Sequence, residues 1–118
     1  MKTLPMTIYK QGDVLLVPFP FTNQLDSKQR PAVVISGMTY NEAYPDLILA
    51  PITSQLARVV DEVVLNDWQQ SGLLKPSAVK PILASFEQGL VKKHLGTLSE
   101  ADLDEVRALF ARILNLNP

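Results

Sequence analysis

The chain predicts a mainly β domain with helices, a small and strongly bent sheet or barrel closed by a C-terminal helix. Three observations carry that expectation. Four short apolar runs rich in Val, Ile and Leu fill much of residues 12–66, each bounded by turn formers and none with helical periodicity. The connections between them have the length of a meander rather than of crossover units. From Ser99 onward the pattern changes, and Leu103, Val106, Phe110, Ile113 and Leu114 fall on one face of a helix.

The elements follow in order. GDVLLVPF (12–19) is the first strand, and PAVVISG (31–37) is the second, opening on Pro31 where a strand tolerates proline. DLILAPIT (46–53) is the third, and its internal Pro51 is expected to mark an edge or a bulge just before Thr53. DEVVLN (61–66) is the fourth. The stretch WQQSGLLKPSAVKPILASF is ambiguous, with one or two short strands around 77–86. A helix over roughly 99–116 begins at Ser99, which with Asp102 forms a capping box carrying Asp in place of Glu. With no internal repeat, low-complexity segment or linker, residues 1–118 are expected to form one domain.

At 118 residues the chain is long enough to bury a core without staples, and 47% hydrophobic against 19% charged residues is a globular balance. The absence of cysteine removes disulfides, thiolate metal sites and cysteine nucleophiles together. No apolar run suits a signal peptide or a membrane span, so a cytoplasmic protein is expected, with no membrane partner. A net charge of −1 means that any nucleic-acid function must come from a local cluster. The charges do segregate: Glu100, Asp102, Asp104 and Glu105 gather in the tail, whereas Lys28, Arg30, Arg58, Lys75, Lys80, Lys92 and Lys93 lie upstream.

His94 is the sole histidine and has no ligand partner at metal-binding spacing, so no metal site is expected and a surface or half-buried role is. Carboxylates at 100–105 suit the first turn of a helix, where they favour the macrodipole. Asp13 after Gly12 reads as a turn anchor, and Trp68 and Phe86 read as core or subunit-contact residues. Two positions point to chemistry. Pro31 biases Arg30 to an extended backbone, which holds on a stiff junction the side chain best suited to meet phosphate bidentately. Thr53 ends an apolar strand and places a hydroxyl at the rim of the sheet.

The order GDVLLVPFPFT, a polar loop, RPAVVIS, a turn, ILAPITSQ, DEVVL, SAVKP and LGTLSEADLDEVRALFARIL resembles the MazF/PemK-like toxin family over residues 11–116. The resemblance implies a small SH3-like (MazF/CcdB-type) barrel with helices, a homodimer, and an endoribonuclease that cuts single-stranded RNA at a short sequence without metal or cofactor. It also implies a cognate antitoxin as partner. Carried over by position, it makes Arg30 and Thr53 the catalytic pair and leaves Gly12 and Asp13 structural; Asp26, Lys28, Arg58 and Lys80 are expected to bind substrate. There are two departures. Many relatives carry glutamate where this chain has Leu25, with Asp26 adjacent as a substitute, and often a basic residue where it has Ile82. They bear on cleavage sequence, rate and the general base. The chemistry implied is attack by the 2′-hydroxyl of the RNA, leaving a 2′,3′-cyclic phosphate and a 5′-hydroxyl. The same barrel by resemblance also serves CcdB-type toxins that act by protein contact, and a third reading is an SH3-like binding module. Neither needs Arg30-Pro31 together with Thr53, and few aromatics are present for a peptide groove.

Overall fold

The computed structural model describes residues 8–18, 28–56 and 61–116. Its frame is a three-stranded antiparallel meander, as the sequence predicts. Strand β1 (Asp13–Pro18) pairs with β2 (Gln29–Val34), setting Val14 opposite Val33 and Val17 opposite Arg30. Strand β2 pairs in turn with β3 (Asp46–Thr53), setting Ala32 opposite Pro51. The apolar runs are continuous rather than alternating because both faces of this sheet are covered. Val14, Val33, Ala50 and Ile52 belong to one core cluster, whereas Leu15, Val17, Ala32, Val34, Leu47 and Leu49 form a second.

Beyond the meander the structure departs from expectation in several places. The turn after β2 contains a short helix α1 (Met38–Ala43), six residues without an apolar stripe. It is fixed by the buried Asn41, whose Nδ2 donates to the Tyr9 and Ser36 carbonyls at 2.8 and 3.1 Å. The fourth run yields only a two-residue strand, β4 (Val63–Val64), while the ambiguous stretch does give two strands, β5 (Ala78–Val79) and β6 (Ala84–Glu87). Strand β3 pairs with β6 from Asp46 to Leu49 and with β5 at Ile52 and Thr53. Pro51 therefore lies neither on an edge nor at a bulge. It stands in a central strand where one neighbour hands over to the next, and its carbonyl accepts from Lys80 N at 3.0 Å on that side. A missing N–H costs little where no partner strand faces it.

The last strand, β7 (Lys93–Thr97), was not foreseen, because KHLGT carries one large apolar residue and a glycine. It pairs with β1 through a register shift between Val14 and Leu15, which is where the bulge of this sheet lies. Hydrogen bonding thus runs β4-β5-β3-β2-β1-β7, with β6 also on β3, and the ladder is open between β4 and β7 among the described residues. The segment between β4 and β5 meets β7 instead through backbone contact. A Cβ on Gly72 would lie 2.1 Å from the Leu95 carbonyl oxygen, and one on Gly96 would lie 2.5 Å from that of Ser71. Gly72 also has φ +87°, so both sterics and backbone conformation call for glycine there.

Helix α2 (Glu100–Ile113) closes the first core cluster with Val106, Leu109 and Phe110. It ends earlier than expected, and Ile113 and Leu114 remain 39% and 48% exposed. Ser99 caps it, accepting from Asp102 N at 3.2 Å. The other half of the expected capping box is absent. The Asp102 carboxylate is buried and accepts from Asn66 N at 3.0 Å and Asp67 N at 2.8 Å, so it ties α2 to the segment after β4 rather than standing as a helix-end surface charge. A buried carboxylate needs such donors to offset its desolvation. Trp68 packs against the first cluster and Phe86 against the second, as their core reading expects. Among the described residues no helix is long and apolar enough to cross a membrane.

Candidate active site

The start of β2 and the end of β3 open into a groove of about 900 Å³, whose other walls come from residues 72–80 and from β7. Arg30 and Thr53 both line it. The β2–β3 pairing ends at Ala32 opposite Pro51, and Arg30 and Thr53 each lie two residues beyond that pair on their strands. Arg30 is exposed, and it has no hydrogen bond or ion pair with a described residue. Pro31 follows within the strand, opposite Leu16, and keeps the Arg30 backbone extended as the sequence suggests. The Thr53 Oγ accepts from Gln55 N at 3.0 Å. That bond fixes the oxygen and leaves the hydroxyl proton free to donate into the groove.

Around this pair stand Lys28, Lys75, Lys80 and Lys93, while no aspartate or glutamate is among the described lining residues. A chain of net charge −1 thus concentrates five fixed cations, Arg30 included, on one concave surface. Of the residues expected to bind substrate, Lys28 and Lys80 line this groove. Asp26 and Arg58 lie outside the described residues, as does Leu25. Ile82 is 40% exposed and does not line the groove. Lys75 and Lys93 were counted among the upstream charges but given no role. Lys93 is hidden in KKH until β7 is recognised, since only a strand's alternation separates it from Lys92 and His94.

Asp13, by contrast, is a structural anchor. It is buried and accepts from Lys10 N at 2.9 Å and from Thr97 Oγ at 3.0 Å, with His94 Nε2 3.4 Å from the same Oδ1 that Thr97 meets. Burial, and then the negative charge of Asp13, push the Tyr9 phenol above its ordinary range, so it stays protonated at neutral pH. His94 is exposed and stands outside the groove lining. Among the described residues no group of three or more His, Cys, Asp or Glu is placed to hold a metal ion.

A small bent sheet whose cationic groove is lined by a threonine hydroxyl and by an arginine without a partner among the described residues is a surface suited to an anionic polymer. The chain belongs to the family of PemK-like, MazF-like toxins of type II toxin-antitoxin systems, whose model matches residues 10–114. The endoribonuclease toxin MazF of Escherichia coli K12 is 33% identical over 98 residues, spanning 82% of this chain and 86% of that protein. Among solved structures, a MazE-MazF structure (Form-II) from Deinococcus radiodurans superposes with a TM-score of 0.77 at 20% identity, over 95% of this chain and 100% of the other. A mycobacterial endoribonuclease in complex with its cognate antitoxin gives 0.75 at 15% identity, over 96% and 99%. At these identities the solved structures speak for the fold.

Proposed function

We propose that this protein is a metal-independent endoribonuclease toxin that cuts single-stranded RNA at a short sequence, using the 2′-hydroxyl of the substrate as nucleophile. The observation that carries the reading is that Arg30 and Thr53 line one groove together with four lysines. RNA brings its own nucleophile, so the enzyme need only align it with the adjacent phosphorus and stabilise the charge that gathers on the phosphoryl oxygens. Arg30 supplies that stabilisation with a planar fork, and Thr53 donates its free proton to a phosphoryl oxygen or orients the hydroxyl. The lysines hold flanking phosphates. A general base takes the 2′-hydroxyl proton, and the 5′-oxygen leaves as a hydroxyl. A protein-contact toxin of the same fold would have no use for this pair.

The reading includes two partners. An antitoxin would neutralise the protein by covering the groove; that such a partner exists is supported by the mycobacterial endoribonuclease solved in complex with its cognate antitoxin. A second copy would bury the apolar surface left at the end of α2, where Ile113, Leu114 and Leu116 are exposed together. The cytoplasm is the compartment where such substrates and partners meet.

The test is incubation of the purified protein with mixed RNA, with and without EDTA, followed by mapping of the ends. Cyclic phosphate and 5′-hydroxyl ends in both samples are expected, with resistance at any cut site carrying a 2′-deoxy sugar. Activity lost in EDTA and restored by magnesium would overturn the mechanism, and so would efficient cutting of an all-DNA strand.

A further inference from the structure

Leu74 is 93% exposed, more than any other large apolar residue among those described. It lines the same groove as Arg30 and Thr53. This exposure is built into the fold. Immediately before it, Leu73 is buried in the first core cluster and its N–H donates to the Trp68 carbonyl at 3.1 Å. Gly72 is pressed against the backbone of Leu95 and Gly96. Immediately after it, the Lys75 carbonyl accepts from Ser77 Oγ at 2.8 Å, and Pro76 stiffens the chain between them. The loop is therefore pinned on both sides, and it holds an apolar side chain and an ammonium next to each other at the rim.

An exposed leucine alone is ordinary; its company here is not. The other large aliphatic residues of the groove wall, Leu16, Ile52, Leu73 and Leu95, are buried or half-buried, so Leu74 presents an isolated apolar surface among cations. A protein segment docking by its apolar side chains needs a contiguous patch. A nucleotide needs one apolar surface for the face of its base and one cation for its phosphate. We propose that Leu74 and Lys75 form a nucleotide clamp, in which Leu74 packs against the face of one base flanking the cut and Lys75 holds the neighbouring phosphate. The clamp rests on the endoribonuclease reading and adds to it a determinant of which nucleotide is tolerated beside the cut.

The test uses the full-length protein, a short single-stranded RNA spanning a mapped cut site, and a randomised RNA library. Leu74→Ala is expected to raise KM about fivefold with kcat changed by less than about twofold, and to flatten base preference at one position beside the cut. Leu74→Phe, which restores a flat apolar face, is expected to return KM toward that of the parent. Lys75→Ala is expected to reduce the salt dependence of binding, its log-log slope falling by about 0.7, as for one lost phosphate contact on a single strand. Circular dichroism melts should be unchanged, since Leu74 is outside the core. If the parent cuts RNA while Leu74→Ala shows the parent's KM and cut-site profile, the clamp is wrong and the nuclease reading stands. Weakened antitoxin binding with unchanged RNA kinetics would give the loop to a protein partner and also overturn it. A parent protein that cuts no RNA would remove the nuclease reading and the clamp together.

Discussion

The two ends of the β1-β2 pair use polar residues in opposite ways. At the entrance of β1, Asp13 is buried and its oxygens accept from Lys10 and Thr97, while His94 stands close by. At the far end, Arg30 sits opposite Val17 with its guanidinium exposed and unpaired among the described residues. Both are charged residues at strand ends in the same sheet. The difference lies in what remains to be bonded. Asp13 has its hydrogen bonds inside the protein and stabilises the fold, whereas the Arg30 donors are unspent among the described residues. The same contrast separates Asp102, bonded to two backbone N–H groups, from Thr53, whose oxygen is fixed and whose proton is free.

Breaking the open end should cost activity and spare the fold, and breaking the closed end should do the reverse. The largest effect is expected from Arg30→Ala, with a loss of about 10²–10³ in turnover, as when a main electrostatic stabiliser is removed, and an unchanged melting curve. Arg30→Lys should recover part of that, because an ammonium keeps the charge and loses the fork. An Arg30→Ala variant that cuts RNA normally would make the residue a plain surface charge. Next in size is Asp102→Ala. It strands the N–H groups of Asn66 and Asp67, and should lower stability by roughly 2–3 kcal/mol in urea unfolding while the remaining folded fraction keeps its KM.

Thr53→Val sharpens the comparison from the other side, since it removes only a hydroxyl from the groove. A loss of about tenfold in kcat with little change in stability is expected from single-turnover assays. The smallest and most discriminating pair is Lys93→Ala against Lys92→Ala. Lys93 lines the groove and its neighbour does not, so only the first should weaken RNA binding, by a few-fold at low salt and less at high salt. Equal effects would place the cationic surface elsewhere.

How much of this could be read from the sequence depended on how locally each feature is encoded. The meander and α2 were legible because apolar runs and helical spacing are local signals, and Arg30 was legible because Pro31 constrains its neighbour directly. Strand β7 was not, because its residues are recruited by the free edge of β1 rather than by their own propensity. Missing β7 meant missing Lys93. Lys75 was hidden for a similar reason: its loop is positioned by the approach of Gly72 to Gly96, a contact between segments more than twenty residues apart. Asp102 is the first-turn carboxylate the sequence indicates, but its tie to Asn66 and Asp67 was not legible, because such a carboxylate looks the same in sequence whether it faces water or two backbone donors from a distant loop. Pro51 was misjudged because a proline shows that a donor is missing without showing which side of the strand lacks a partner.

The pairing of β1 with β7 has a consequence for the order in which the molecule comes into being. The Asp13–Thr97 bond and the Leu98 N to Gly12 carbonyl bond, the latter 2.9 Å long, join the start of the chain to a segment more than eighty residues later. Synthesis delivers the N-terminal segment first, and contacts of such long sequence separation form slowly. Arg30 and Thr53 are thus made well before Lys93, Leu95 and Gly96, which supply the last wall of the groove and the seat for Gly72. A growing chain carries Arg30 and Thr53 before the residues that complete the groove around them have been made.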